Sequence, residues 1–198
     1  MARPFLLTLA LACAVAACGS GGGESPDAGA SPPLAGSRIG GEFTLVNAAG
    51  KTVRYSDFAG KYRIVYFGYT FCPDACPLDL QRLMQGFARF ARDEPAVAGR
   101  VQPIFVSIDP ARDTPAVVGE YAAAFSPRLI GLTGSEAQVA AAAKAFAAYY
   151  TRGEDSAGGG YQMDHSRIAY LMDRDGAPLA MLPVDKGAAA VAQELAQW

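Results

Sequence analysis

The segment Cys72-Pro73-Asp74-Ala75-Cys76 holds the residue types best suited to chemistry. Its cysteines are four residues apart, about one helical turn, so both sulfur atoms can lie on the same side of a helix. Proline is favoured at the first helical position, so Pro77 predicts a helix that begins there, with Cys76 at or near its N-cap. Helix N-termini favour negative charge and therefore thiolates. Two adjacent thiolates can form a disulfide, bind a soft metal, or exchange with another disulfide.

The simplest interpretation of the cysteine pair is a stabilising disulfide in an exported protein. A disulfide between Cys72 and Cys76 would close a very small loop, and such a crosslink restricts the unfolded chain only slightly. Reactivity therefore explains the pair better than stabilisation does.

His165 is the only histidine in the chain. An isolated histidine in a loop is more often a surface residue than a ligand, but this one lies just before a predicted strand at 168–172. If that strand runs antiparallel to the strand before Cys72, the loop with His165 reaches the same end of the sheet. Two thiolates and one imidazole form a soft set of three ligands that suits copper, whereas structural zinc normally takes four protein ligands.

The elements that must position these residues follow from hydrophobic patterning. Alternating residues predict an N-terminal β-hairpin, continuous apolar runs predict buried strands, and apolar residues spaced three or four apart predict helices. We expect strands at 43–46, 52–55, 64–67, 104–108, 129–132, 168–172 and 179–182, and helices from 77 to about 91, 115–125, 136 to about 148 and 186–198. Strands alternating with helices predict an α/β fold.

The N-terminus predicts export and lipid anchoring. Arg3 precedes 14 uncharged residues, fewer than the about 18 that a membrane span needs, so residues 1–17 are interpreted as a signal peptide. Val15-Ala16-Ala17-Cys18 resembles a bacterial lipobox, which predicts lipidation at Cys18; an ordinary signal cleaved near Ala17 would leave that thiol free. We expect a flexible tether at 18–37, a folded domain at 38–198, and lipid anchoring on the periplasmic side of a bacterial envelope membrane.

Composition limits the remaining classes of function. The chain has 198 residues, 51% of them hydrophobic and 18% charged, which predicts one domain with a substantial core. Its formal net charge is −2 and it has no basic run, so nucleic acid is not an expected partner.

Several segments together resemble the Sco/SenC copper chaperones, thioredoxin-like proteins of cytochrome c oxidase assembly. They run in family order from about residue 40 to 182. These segments are Gly40-Gly41-Glu42-Phe43-Thr44-Leu45, Gly60-Lys61, Tyr66-Phe67-Gly68-Tyr69-Thr70-Phe71-Cys72-Pro73, Cys76-Pro77, Val106-Ser107-Ile108-Asp109-Pro110, Arg112-Asp113-Thr114-Pro115, Gly131-Leu132-Thr133-Gly134 and Asp164-His165-Ser166.

The resemblance implies a thioredoxin-like α/β fold with an N-terminal β-hairpin extension. It implies that Cys72, Cys76 and His165 bind copper, as Cu(I), Cu(II) or both, and that Cys72 and Cys76 can also form a redox disulfide. Family members deliver copper to the dinuclear copper centre of oxidase subunit II, or reduce its cysteines, or both; another copper protein is a further possible acceptor. The chain departs from relatives at Asp79, where a small hydroxyl residue is common.

The alternative is a thiol–disulfide oxidoreductase of the cell envelope. Thioredoxin-like redox enzymes usually have two residues between their cysteines, and here there are three. They also carry a proline before the later strand, where this chain has Ser166-Arg167. We therefore assign no catalytic residue and leave a thiol–disulfide reductase activity open, because Cys72 and Cys76 must be reduced before they can bind Cu(I).

Overall fold

The computed structural model describes residue 1, residues 31–155 and residues 159–198. The fold described here is that of the compact unit Ser31–Trp198. Predicted lipidation at Cys18, residues 2–17 of the predicted signal peptide and residues 18–30 of the predicted tether lie outside the described residues. Among the residues that are described, no helix is both long enough and apolar enough to cross a bilayer.

A seven-stranded sheet in the order β2-β1-β5-β4-β3-β8-β9 forms the centre of the unit, and β6 pairs with β7 in a separate two-stranded sheet. The strands are β1 (Thr44–Asn47), β2 (Thr52–Arg54), β3 (Tyr62–Gly68), β4 (Val101–Ser107), β5 (Ile130–Thr133), β6 (Tyr150–Arg152), β7 (Met163–His165), β8 (Ala169–Met172) and β9 (Pro178–Leu182). The α-helices are α1 (Ala75–Asp93), α2 (Pro95–Ala98), α3 (Pro115–Phe125), α4 (Glu136–Ala145) and α5 (Ala188–Gln197), and short 3₁₀ helices span Tyr55–Phe58 and Val184–Lys186.

The central strand β3 is buried along nearly its whole length. It pairs in parallel with β4 and antiparallel with β8, with Ile64 opposite Leu171. A strand covered on both faces has a continuous apolar sequence rather than an alternating one, which explains the run at 64–67. The antiparallel direction of β8 confirms the arrangement expected from the sequence, because β8 begins beside the end of β3 that precedes Cys72.

Helices cover the sheet with apolar faces. Leu80, Leu83 and Phe87 of α1 are buried in one core cluster with Val191 of α5. The predicted N-caps are confirmed: Thr114 accepts a hydrogen bond from the Val117 N–H, and Ser135 accepts one from the Gln138 N–H.

Several predicted boundaries differ in the structure, among them the start of α1 and the start of the folded unit. Helix α1 begins at Ala75 with Asp74 as its N-cap residue, so Pro77 is the third helical residue and Cys76 lies inside the first turn. Proline is tolerated there because the first N–H groups of a helix have no intrahelical partner. The folded unit also begins before residue 38, since Leu34 packs against the core and its N–H donates to the Leu179 carbonyl at 3.0 Å.

Candidate metal centre

The loop that carries Cys72 connects β3 to α1 and is held by a buried carboxylate. Asp113 is fully buried and accepts hydrogen bonds from the Thr70 N–H (3.0 Å), the Thr70 hydroxyl (2.6 Å) and the Ser107 hydroxyl (2.5 Å). Burial raises the pKa of Asp113, while these hydrogen bonds oppose that shift. The loop is therefore fixed to the end of β4 two residues before Cys72.

The structure brings Cys72, Cys76 and His165 together. Their ligand atoms all lie within 4.8 Å of one another. The Sγ of Cys76 is 3.1 Å from Nε2 of His165, and the Cys76 N–H points at Sγ of Cys72, 3.3 Å away. Both cysteines are free thiols. Among the described residues, this is the group of three or more His, Cys, Asp and Glu side chains that could hold a metal ion.

His165 is the last residue of β7, and its ring is oriented by the backbone. Its Nδ1 is 3.0 Å from the Ser166 carbonyl oxygen. A carbonyl can only accept, so Nδ1 carries the proton, and Nε2 of the neutral ring offers its lone pair toward Cys76. Burial lowers the pKa of His165, which favours the neutral ring that a metal requires.

The environment of Cys76 differs from the sequence expectation. Its side chain is fully buried, and burial raises the pKa of its thiol, although the helix N-terminus was expected to favour a thiolate. The Cys76 N–H, in the first turn of α1, is directed instead at Sγ of Cys72. Binding a soft cation must therefore release the Cys76 proton, and the metal–sulfur bond offsets the cost of the buried negative charge.

Aromatic rings surround the buried side of the site. Tyr66 and Tyr69 meet the His165 ring edge-on, with ring centroids 6.4 and 5.9 Å away. Gly68 allows this packing, because a Cβ there would lie 3.0 Å from Sγ of Cys76 and 3.1 Å from the Tyr66 ring. A larger residue at position 68 would displace either the sulfur or the ring.

An ion pair with a buried carboxylate and a partly exposed guanidinium lies beside the site, and the sequence analysis did not identify it. Arg167 donates from Nε to Oδ2 of Asp79 at 2.8 Å and from Nη2 to Oδ1 at 2.6 Å. Asp79 is fully buried and also accepts a hydrogen bond from the Tyr66 hydroxyl at 3.0 Å. The only sequence signal was that Asp79 departs from the residues common in relatives.

A second group of side chains flanks the open side of the site. The Arg112 guanidinium stacks on the Tyr161 ring at 3.7 Å from its centroid and lies 4.7 Å from that of Phe71. Tyr161 donates to Asp109 at 2.7 Å, and Arg112 forms an ion pair with the same carboxylate at 2.5 Å. This group packs the chain before β7 against the end of β4, and it leaves Phe71 exposed beside Cys72.

Two sulfurs and one imidazole nitrogen converging on one point form a soft donor set. Thiolates select Cu(I) and zinc, and imidazole suits copper in either oxidation state. The residues present therefore fit a copper ion.

The SCO1/SenC family model matches residues 31–198. The chain belongs to the SCO1/SenC family. Protein SenC of Rhodobacter capsulatus is 44% identical over 143 residues, which cover 70% of this chain and 61% of SenC. The mitochondrial SCO2 homolog of Bos taurus is 40% identical over 136 residues, which cover 69% of this chain and 50% of that protein. The chain thus spans about half the length of the mitochondrial relative.

Solved structures of family members have the same fold. Bradyrhizobium japonicum ScoI with copper bound superimposes with a TM-score of 0.72 at 36% identity, covering 81% of this chain and 99% of that one. Yeast Sco1 with copper bound gives a TM-score of 0.72 at 33% identity, covering 80% of this chain and 87% of that one. These similarities confirm the predicted family resemblance and the thioredoxin-like α/β fold.

Proposed function

We propose that this chain is a copper carrier that binds one copper ion through Cys72, Cys76 and His165 and passes it to an acceptor protein. The observation that carries the proposal is the convergence of these three soft donor atoms within 4.8 Å. The presence of copper in two related solved structures supports it. Copper is the cargo of this site, so the site must release the ion as well as hold it.

The acceptor we propose is the dinuclear copper site of cytochrome c oxidase subunit II, with another copper protein as the alternative. The family resemblance supports this assignment. In either case the acceptor offers its own thiolate or imidazole ligands, and copper moves by exchange of one ligand at a time.

Burial differs among the ligands and suggests an order of exchange. Cys76 is fully buried, whereas Cys72 is partly exposed. An incoming ligand can approach copper from the Cys72 side, and Cys72 leaves first while Cys76 and His165 retain the ion. Such a site transfers copper without releasing it into solution.

We further propose that Cys18 is lipidated, which anchors the domain on the periplasmic side of a bacterial envelope membrane. The small residues Val15-Ala16-Ala17 before Cys18 support this. Two acyl chains give lasting attachment, since each buried CH₂ contributes about 0.8 kcal/mol. A Cys18→Ser variant should move from the membrane fraction to the soluble fraction and lose metabolic labelling with a fatty acid; retention of both would contradict the anchor.

The main test uses the reduced protein with Cys13→Ser and Cys18→Ser, so that the site thiols are the only thiols present. Copper and zinc are offered in competition. We expect one copper per chain, and weaker binding in His165→Ala than in the control Gln162→Ala, an exposed neighbour. The Cu(II) affinity should fall more than the Cu(I) affinity, because the thiolates dominate Cu(I) binding. Preferential retention of zinc, or no copper, would refute the function.

A thiol–disulfide reductase is the second candidate, favoured by two free thiols close together with one partly exposed. In that reaction Cys72 and Cys76 give up two electrons and two protons and form a disulfide, while the disulfide of the acceptor becomes two thiols. His165→Ala should leave this rate unchanged in metal-free protein. Loss of reductase activity together with copper binding in His165→Ala would contradict a separate thiol activity.

A further inference from the structure

His165 lies on a short ribbon, in which the next residue, Ser166, donates its N–H to the Tyr149 carbonyl at 2.9 Å. In the part of the chain that the structure describes, β7 pairs with β6 in a two-stranded sheet separate from the seven-stranded sheet. The pairing covers only three residue pairs, and His165 is at its end, opposite Tyr150. An isolated two-stranded ribbon is marginally stable in water. Tertiary contacts must therefore fix the imidazole relative to the sulfur atoms.

One of these contacts is the ion pair between Asp79 and Arg167. Asp79 follows Cys76 by three residues, so both lie on the same face of α1. Arg167 follows His165 by two residues. Two nearly parallel hydrogen bonds of 2.8 and 2.6 Å join the partners across 88 residues of sequence. The pair therefore connects the helix that carries one ligand to the segment that carries another.

The geometry of this pair restricts Arg167 more than an ordinary surface ion pair would. The Asp79 side chain is fully buried, whereas 47% of the Arg167 side chain is exposed. A buried carboxylate without its partner is strongly unfavourable, so Asp79 holds the guanidinium in place. Asp79 is in turn fixed by the helix and by the hydroxyl of Tyr66.

We propose that the Asp79–Arg167 pair is the positioning element of the metal site, which sets the distance between Nε2 of His165 and Sγ of Cys76. This rests on the proposed copper function. Thiolates are the soft ligands that select Cu(I), so the imidazole matters more for Cu(II) than for Cu(I), and loosening His165 lowers the Cu(II) affinity more than the Cu(I) affinity. The planar fork of arginine makes both hydrogen bonds, and lysine cannot reproduce that geometry.

The test compares Arg167→Met, Arg167→Lys and the double variant Asp79→Asn/Arg167→Gln with Arg82→Met. Arg82 is the control, because this arginine lies on α1, as Asp79 does, but it reaches the carbonyls of Val184 and Asp185, away from the site. We expect Arg167→Met to lose about 10- to 100-fold in Cu(II) affinity, the range for residues that support metal ligands, with an altered Cu(II) absorption spectrum. Arg167→Lys should lose less, and Arg82→Met should match the unsubstituted protein.

The NMR signals of the His165 ring give a readout that does not depend on copper. In reduced, metal-free protein we expect one set of ring signals with Nδ1 protonated, and broadened or multiple sets in Arg167→Met. Unchanged ring signals and Cu(II) affinity in folded Arg167→Met would overturn the positioning role. If the unsubstituted protein binds no copper, the function fails, but the ring signals still decide the role. Should Arg167→Met fail to fold, Arg167→Lys and the neutral double variant decide it by the same measurements.

Discussion

The two sulfur atoms of the site lie in opposite surroundings, although one helical turn of sequence separates them. The Sγ of Cys76 is fully buried, 3.1 Å from the His165 imidazole and against the backbone of Gly68. Cys72 borders an open depression of about 320 Å³ and follows Phe71, whose side chain is 55% exposed. Cys76 is part of the buried core, whereas Cys72 is partly exposed and packs against the edge of that core.

This difference indicates how one site can both hold an ion and give it away. A ligand in the core keeps its position because moving it would disturb close packing. A ligand at the surface can be displaced by an incoming thiolate at little cost in packing. The chain thus divides retention and release between two residues of the same type.

Removing each sulfur in turn is the most severe test of the assignment of retention to Cys76 and release to Cys72. Cys72→Ala and Cys76→Ala should each lower Cu(I) affinity by more than about 100-fold, since a direct ligand contributes more than its supporting neighbours. Only Cys76→Ala should also destabilise the metal-free fold, by about 1–3 kcal/mol, because it leaves a cavity and an unpaired imidazole nitrogen. Copper competition and denaturant unfolding measure the two effects. Equal losses of stability in both variants would contradict the division.

Gly68→Ala should push the buried sulfur from its position. A Cβ at residue 68 would lie 3.0 Å from Sγ of Cys76, so we expect a loss of about 1–3 kcal/mol in unfolding free energy and weaker copper binding. Gly99→Ala is the control, because Gly99, the residue after α2, has helical backbone angles and an added Cβ would have its nearest contact at 3.4 Å. That change should raise stability by about 0.4–1 kcal/mol. A Gly68→Ala protein that behaves like Gly99→Ala would argue against tight packing at Cys76.

Alkylation compares the two thiols directly. In reduced, metal-free protein with Cys13→Ser and Cys18→Ser, iodoacetamide should modify Cys72 at least about tenfold faster than Cys76, because burial hides the Cys76 thiol and raises its pKa. Peptide mass spectrometry assigns the modified residue over time. Bound copper should protect both thiols. Equal rates for the two cysteines would contradict the assignment of Cys72 as the accessible ligand.

Phe71→Ala is the mildest change, and it tests whether the exposed side of the site, beside Cys72, takes part in docking of the acceptor. Since the ring is exposed, we expect less than about 0.5 kcal/mol change in stability and unchanged copper affinity. Copper transfer to an acceptor protein should be slower, because the acceptor approaches past this residue. Met181→Ala, another exposed apolar residue, should leave the transfer rate unchanged. Equal transfer rates in the two variants would show that Phe71 takes no part in docking.

Local sequence signals predicted the starts of α3 and α4 and the buried face of α1, the helix that carries Cys76. The caps Thr114 and Ser135 and the apolar face of α1 depend on residues within four positions of one another, which a sequence shows directly. The start of α1 was harder to predict from the sequence. Pro77 is compatible with several positions in a first helical turn, so it did not identify Asp74 as the N-cap residue.

Contacts between distant residues were not predictable in the same way. Asp79 and Arg167 are 88 residues apart, and neither belongs to a motif that indicates a partner. The pairing of β6 with β7 was also missed, because two three-residue strands carry too little periodicity to distinguish them from a loop. The packing of Leu34 depends on the Leu179 carbonyl, far away in sequence.

The separation of β7 from the main sheet has a consequence for engineering. Withdrawing His165 requires a local opening of the small ribbon and of its contacts with the domain, and such openings have their own free energy, distinct from that of global unfolding. Substitutions that raise the melting temperature by stabilising the seven-stranded sheet would therefore leave the residence time of copper in the site largely unchanged. Changes confined to the ribbon of β6 and β7 would alter the residence time of copper while the melting temperature stays constant. The stability of the fold and the rate of copper release can therefore evolve separately.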